Sequence, residues 1–184
     1  MLSPESADRS RDAQDDTNGL QRQRPRASQH AAVIAQCTAA LSKGGLVAAL
    51  RVLNERTRFR FTGVYHADPP VLRNVVLFDR ENPTLNVSGD VAVLEETYCG
   101  ITYGTGAPFV TADAPGDARL VTHAARDSVL SYSGVPIRMR SGRPWGSLCH
   151  FDVRPRLLPA DELPVLEVVA ALLESWLKEA GTND

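Results

Sequence analysis

Apolar residues recur along most of the chain with one of two periods, and the changes of period mark the elements. After Ser28, a good helix N-cap, Val33, Ile34, Cys37, Ala40 and Leu41 return at helical spacing until Gly44-Gly45 interrupts them. Leu46, Ala49, Leu50 and Leu53 then continue helically toward Arg56. From Arg58 the period falls to two. Phe59, Phe61, Gly63 and Tyr65 alternate with Arg60, Thr62 and Val64, as a half-buried strand requires. "ADPP" is a turn and "VLRNVVLFD" a second strand, so residues 58–79 read as an antiparallel hairpin.

"RENPTLNVSGD" is a loop, and "VAVLEETYCGITYGTG" predicts a short helix followed by a glycine-broken loop. "APFVTAD" predicts a short strand and "HAARDSVL" a short helix or turn. "SYSGVPIRMR" and "PWGSLCHFDV" are two further strands joined by "SGR", with the glycine such a hairpin loop favours. A closing helix carries a stripe of Val165, Val169, Leu172 and Trp176, widened by Leu166, Val168, Leu173 and Leu177. Pro164 belongs in its first turn, and Gly181 ends it. Helix, hairpin, irregular middle, hairpin, helix is the order of an α+β fold: an antiparallel sheet with the terminal helices packed together on one face.

Composition changes this picture only at the N-terminus. Residues 1–27 hold few apolar residues and no aromatics, so they offer little to offset the entropy of ordering and are expected to be a disordered tail. The net charge of −2 points to neither nucleic acid nor an anionic membrane. "QRQRPR" is too short a patch to change that, and no nucleic-acid-reading motif accompanies it. No unbroken run approaches the ~20 apolar residues of a membrane span, and the N-terminus lacks the apolar core of a signal peptide. The expected location is therefore the cytoplasm, where thiols stay reduced. Cysteines at 37, 99 and 149 fit neither a disulfide framework nor a zinc pattern. No metal is indicated, and the cofactor is left open.

The order of elements, together with "FTGVYHAD", "LRNVVLFDREN", "TYCG", "PFVTADAPGDARL" and "SYSGVPIRMRSGRPWGSLCHFDVRPR", resembles the GAF domain, a small-molecule-binding module of many bacterial signalling proteins. The resemblance covers about residues 28–180. It implies a GAF-like domain with helices behind the sheet and a loop-walled pocket in front. It also implies a sensory or regulatory role, exercised through an unidentified small-molecule ligand, a homodimer or a signalling partner. The stretch holding Asp113 and Arg119 borders the pocket in that family, which makes both candidate ligand contacts. A cysteine at the position of Cys99 often lies near one at that of Cys149 in the family, which implies a reversible thiol switch.

"GSLCHFD" sets Cys149 beside His150, yet neighbours in a strand point to opposite faces. The two cannot jointly bind a metal or act as nucleophile and base. Cys149, beside Phe151, suits a packed interior; His150 suits a pocket wall or a hydrogen-bonded core position. Sequence alone leaves the assignment of faces open. Tyr98, His123 and Tyr132 are further candidates for an aromatic pocket wall. With Cys99, Asp113, Arg119 and His150 they form the expected ligand-binding set. No catalytic residue is assigned, and a non-enzymatic protein is expected. Two other readings remain: a thiol-dependent enzyme of the free methionine sulfoxide reductase type, although its cysteines cluster more tightly, and a ligand-free dimerisation module.

Overall fold

The computed structural model describes the backbone of residues 9–85 and 87–179, and the side chains of residues 30–85 and 87–177. The first helix, α1 (Arg9–Glu55), consists of two helical pieces meeting at Gly45, where φ is 69° and ψ is −166°. The paired glycines thus break the helix where the sequence placed the interruption. Helical backbone begins well before Ser28. Extending an existing helix needs only propagation, without the costly first turn. Side chains before residue 30 lie outside the described set, so the expected tail of residues 1–27 is taken up below as a prediction. By length and composition His30–Glu55 is apolar enough to cross a membrane, although no unbroken apolar run is that long. Of that apolar stretch 28% is buried, with Val33, Cys37, Leu50 and Leu53 in the protein core.

Strands β1 (Phe61–Asp68) and β2 (Val71–Asp79) form the expected hairpin, and β5 (Ser131–Arg138) and β6 (Pro144–Asp152) the second. Two short strands, β3 (Val91–Val93) and β4 (Phe109–Thr111), complete a six-stranded sheet in the order β3-β2-β1-β6-β5-β4. Its pairings are antiparallel. The sequence did not predict β3. Its three side chains are exposed and show no alternation, and only its pairing with Val71–Arg73 makes it a strand. Between β3 and β4 lies α2 (Tyr98–Thr105), capped by the Thr97 side chain, which accepts from the Gly100 amide.

The last helix, α3 (Glu162–Glu179), packs with α1 on one face of the sheet. That face is a continuous core in which Val64, Val135 and Leu148 from the strands meet Leu50 and Leu53 of α1. From α3 the buried residues are Val165, Leu166, Val169, Ala170, Leu173 and Leu177. The expected stripe is therefore rotated. Val168 and Leu172 are 42% and 36% exposed, and Trp176 is only half-buried. Positions 165, 166, 169, 170, 173 and 177 make the tighter helical face, and the bulk of Leu172 and Trp176 obscured it in the sequence. The opposite face of the sheet carries a second core beneath α2 and the loops, and the candidate site is there.

Candidate functional site

The site is built on the central strands. Register places Gly63 of β1 and Gly134 of β5 on either side of Cys149 of β6. A Cβ at Gly63 would lie 2.7 Å from the Tyr65 ring, and one at Gly134 would overlap the Tyr132 hydroxyl. Two tyrosine side chains therefore lie down along the sheet over glycines, leaving room above Cys149. The result is a cavity of about 370 Å³, a size suited to a small organic ligand.

Tyr65, Tyr132, Cys149 and Phe151 contribute to the cavity from the sheet; Tyr98 and Cys99 come from the first turn of α2, and Ala124, Ala125, Ser128 and Val129 from the loop before β5. Leu72, Ala92, Glu96 and Thr97 complete the wall. The rings contact one another: Tyr98 meets Tyr132 edge-on with centroids 5.5 Å apart, and Tyr65 is tilted against Phe151 at 6.3 Å. Such pairs fix the aromatic wall beyond the area they bury.

At the floor the Sγ atoms of Cys99 and Cys149 are 4.0 Å apart, and both thiols are free. The Tyr132 hydroxyl donates to Cys99 Sγ at 3.5 Å and lies 3.3 Å from the Thr102 hydroxyl. Hydrogen bonding from the Cys149 thiol holds Cys99 below the ordinary thiol value; burial opposes it, and the Tyr132 hydroxyl reinforces it. Burial instead pushes Cys149 well up. Of the two thiols, Cys99 is the one lowered, and its place in the first turn of α2 acts in the same direction. Cys37 stands apart, buried in the helix-side core with its thiol pushed up to about 11, mainly by burial.

Of the seven candidates, the structure brings Tyr98, Cys99 and Tyr132 together on the cavity wall. His123 stands behind that wall, its ring 4.7 Å from Tyr98 and its Nδ1 accepting from the Ala125 amide. Arg119 is exposed, bound to Asp117 and the Val110 carbonyl, and lies over the Phe109 ring. Asp113 is an exposed residue preceding the turn Ala114–Gly116. His150 is the main correction. It faces the helices, with Nδ1 2.7 Å from the Thr62 hydroxyl and Nε2 3.5 Å from Glu162. Cys149 is fully buried, as expected of a packed interior, and is also the neighbour that lines the cavity. Alternation set the two apart as expected, but the glycines flanking Cys149 decide which face is open. The sequence reading missed Tyr65, Cys149, Phe151 and Glu96; the Gly63–Tyr65 and Tyr132–Gly134 spacings were the available signal for the tyrosine floor.

A family model described as GAF domain matches residues 46–175. The GAF domain of a phosphoenolpyruvate-protein phosphotransferase from Acinetobacter is similar at 13% identity and a TM-score of 0.65, over 84% of this chain and 98% of that one. A free methionine-R-sulfoxide reductase from Neisseria meningitidis, solved with its substrate, is similar at 18% identity and TM-score 0.62, over 83% and 90% of the two chains. The type II reductase from Thermoplasma acidophilum is similar at 16% and 0.56, over 78% and 96%. At these identities the likeness is one of fold. No curated protein sequence matches the chain.

Proposed function

The chain belongs to the GAF domain family, and from that premise we propose that it is a sensory or regulatory module that binds a small organic molecule between its sheet and α2. The observation that carries this reading is the cavity of about 370 Å³, walled by three tyrosines and a phenylalanine. An apolar, aromatic space of this size, kept open by two glycines under tyrosine rings, is costly to maintain unless something fills it. Read-out would pass to the helices on the opposite face. β6 touches both sides: Cys149 on the cavity and His150 against Glu162 at the start of α3. A homodimer or a signalling protein would engage α3, where Val168 and Leu172 are exposed one turn apart. Three unpaired thiols favour a cytoplasmic setting.

Native mass spectrometry of protein isolated from its own host tests the reading. A retained small molecule, lost from the Gly134→Ala variant, is the expected result. Ligand-free spectra under conditions that preserve the fold, or retention unchanged by Gly134→Ala, would count against it.

One observation favours a second reading. Two sulfurs 4.0 Å apart at the floor of a ligand-sized cavity are suited to thiol-dependent reduction of a small substrate. Turnover of free methionine sulfoxide by the reduced protein, abolished in Cys99→Ser, would establish that chemistry; no turnover leaves the sensory reading.

A further inference from the structure

The electrostatics of the cavity narrow its ligand. Glu96 is the one charged residue on the wall, and it is exposed at the rim; among the described residues, no lysine or arginine lines the space. The other charges nearby are largely of the same sign. Asp117 and Asp127 act on the Tyr98 hydroxyl, and the exposed Asp90 acts weakly on that of Tyr65. Arg126 is the cation near Tyr98, but it does not line the cavity, and its two terminal nitrogens are taken by the Pro115 carbonyl and Asp127, leaving only the buried Nε without a partner. Arg119 is committed to Asp117, Val110 and the face of Phe109. One positive feature remains, the N-terminus of α2, and there the Gly100 amide is already taken by the Thr97 side chain.

An anion entering this space would lose its hydration and find no cation on the described wall. A cationic nitrogen would meet the opposite situation. Tyrosine faces attract cations, more strongly when water is excluded, and a carboxylate waits at the rim. Resting on the small-molecule reading above, we propose that the cavity binds a small organic cation: a flat apolar body held among Tyr65, Tyr98, Tyr132 and Phe151, with an amine or ammonium group directed to Glu96.

Three soluble probes of nearly the same shape separate charge from size: tryptamine, tryptophol and indole-3-acetate, carrying positive, zero and negative charge. They are titrated calorimetrically into the full chain at one ionic strength. Tryptamine should bind roughly tenfold more tightly than tryptophol, with indole-3-acetate weakest, as expected for a cation–aromatic contact plus one partly screened ion pair. Glu96→Gln should bring tryptamine to within about twofold of tryptophol and leave tryptophol unchanged, because only the ion pair is removed. Indole-3-acetate binding as tightly as tryptamine would overturn the proposal, as would Glu96→Gln weakening all three alike or no probe binding at all. Ala124→Trp fills the cavity from an exposed wall position and should abolish binding of every probe. If binding survives there, the cavity is not the site and the small-molecule reading falls as well. A reversed charge order that still responds to Ala124→Trp removes only the cation assignment.

Discussion

Nε2 of His150 lies 3.5 Å from Oε1 of Glu162, and neither side chain is reached by solvent. Glu162 is held from its other side by Arg56 Nε at 2.7 Å, and His150 by the Thr62 hydroxyl, which also accepts from Asn54. This polar chain ties β1 and β6 to the end of α1 and the start of α3. His150→Ala should therefore act on folding rather than on ligand retention. Opening a polar cavity beside a buried carboxylate should cost about 2–4 kcal/mol, read as a fall in denaturation midpoint at unchanged denaturant dependence. A variant of wild-type stability that has lost its ligand would return His150 to the binding residues.

Residues of α3 should divide by face. Leu173 is 1% exposed and Leu177 likewise, whereas Trp176 is half-buried. Leu173→Ala should cost about 2–5 kcal/mol through the cavity it leaves. Trp176→Ala should cost less than half as much, since solvent already reaches the ring. Equal losses in chemical denaturation would contradict the rotated stripe.

Deleting residues 1–27 should leave the melting temperature nearly unchanged, because so polar a segment has little apolar surface to bury. A fall of more than a few degrees would mean that it packs on the domain.

Asp79 supplies an acid limit to stability. Arg60 grips its carboxylate through two nitrogens at 2.9 and 2.8 Å, and that hydrogen bonding holds the acid down to about 2. A depressed carboxylate contributes stability that is fully present above its unfolded value near 4 and is lost as pH falls toward 2. Arg60 is part-exposed and screened, so that contribution is small. The stability difference between wild type and Asp79→Asn in unfolding curves should therefore be clearly smaller at pH 2.5 than at pH 6. A constant difference between them would rule this out.

The hairpins, the glycine break in α1 and the closing helix were legible because each is written in a local period. So was the separation of Cys149 from His150, which needs only strand alternation. What stayed hidden was relational. Choosing the open face of β6 required the register that sets Gly63 and Gly134 beside Cys149, and no local pattern carries it. The rotated face of α3 was hidden for a related reason: the apolar Leu172 and the large Trp176 suggested a centre that the packing against β5 does not use. Arg119 was expected at a ligand, but Asp117, two residues away, accepts from its Nη2 at 2.6 Å. A charge with so near a partner has little left to offer a third group.

The thiol pair gives the last prediction. Cys99 is favoured as thiolate by donors converging on its sulfur, while Cys149 and Cys37 are both pushed up by burial. Because the thiolate is the nucleophile, alkylation of the native chain by iodoacetamide should modify Cys99 first, mapped by peptide mass. Its rate should rise with pH through a midpoint below that of a free thiol. Tyr132→Phe removes one donor and should move that midpoint upward. A mild oxidant should then join Cys99 to Cys149, since a gap of 4.0 Å must close only to the bonding distance of about 2 Å, within the reach of side-chain rotation. Labelling of Cys149 ahead of Cys99, or a Cys99 midpoint at or above the free-thiol value, would show that the donors do not act as the geometry indicates.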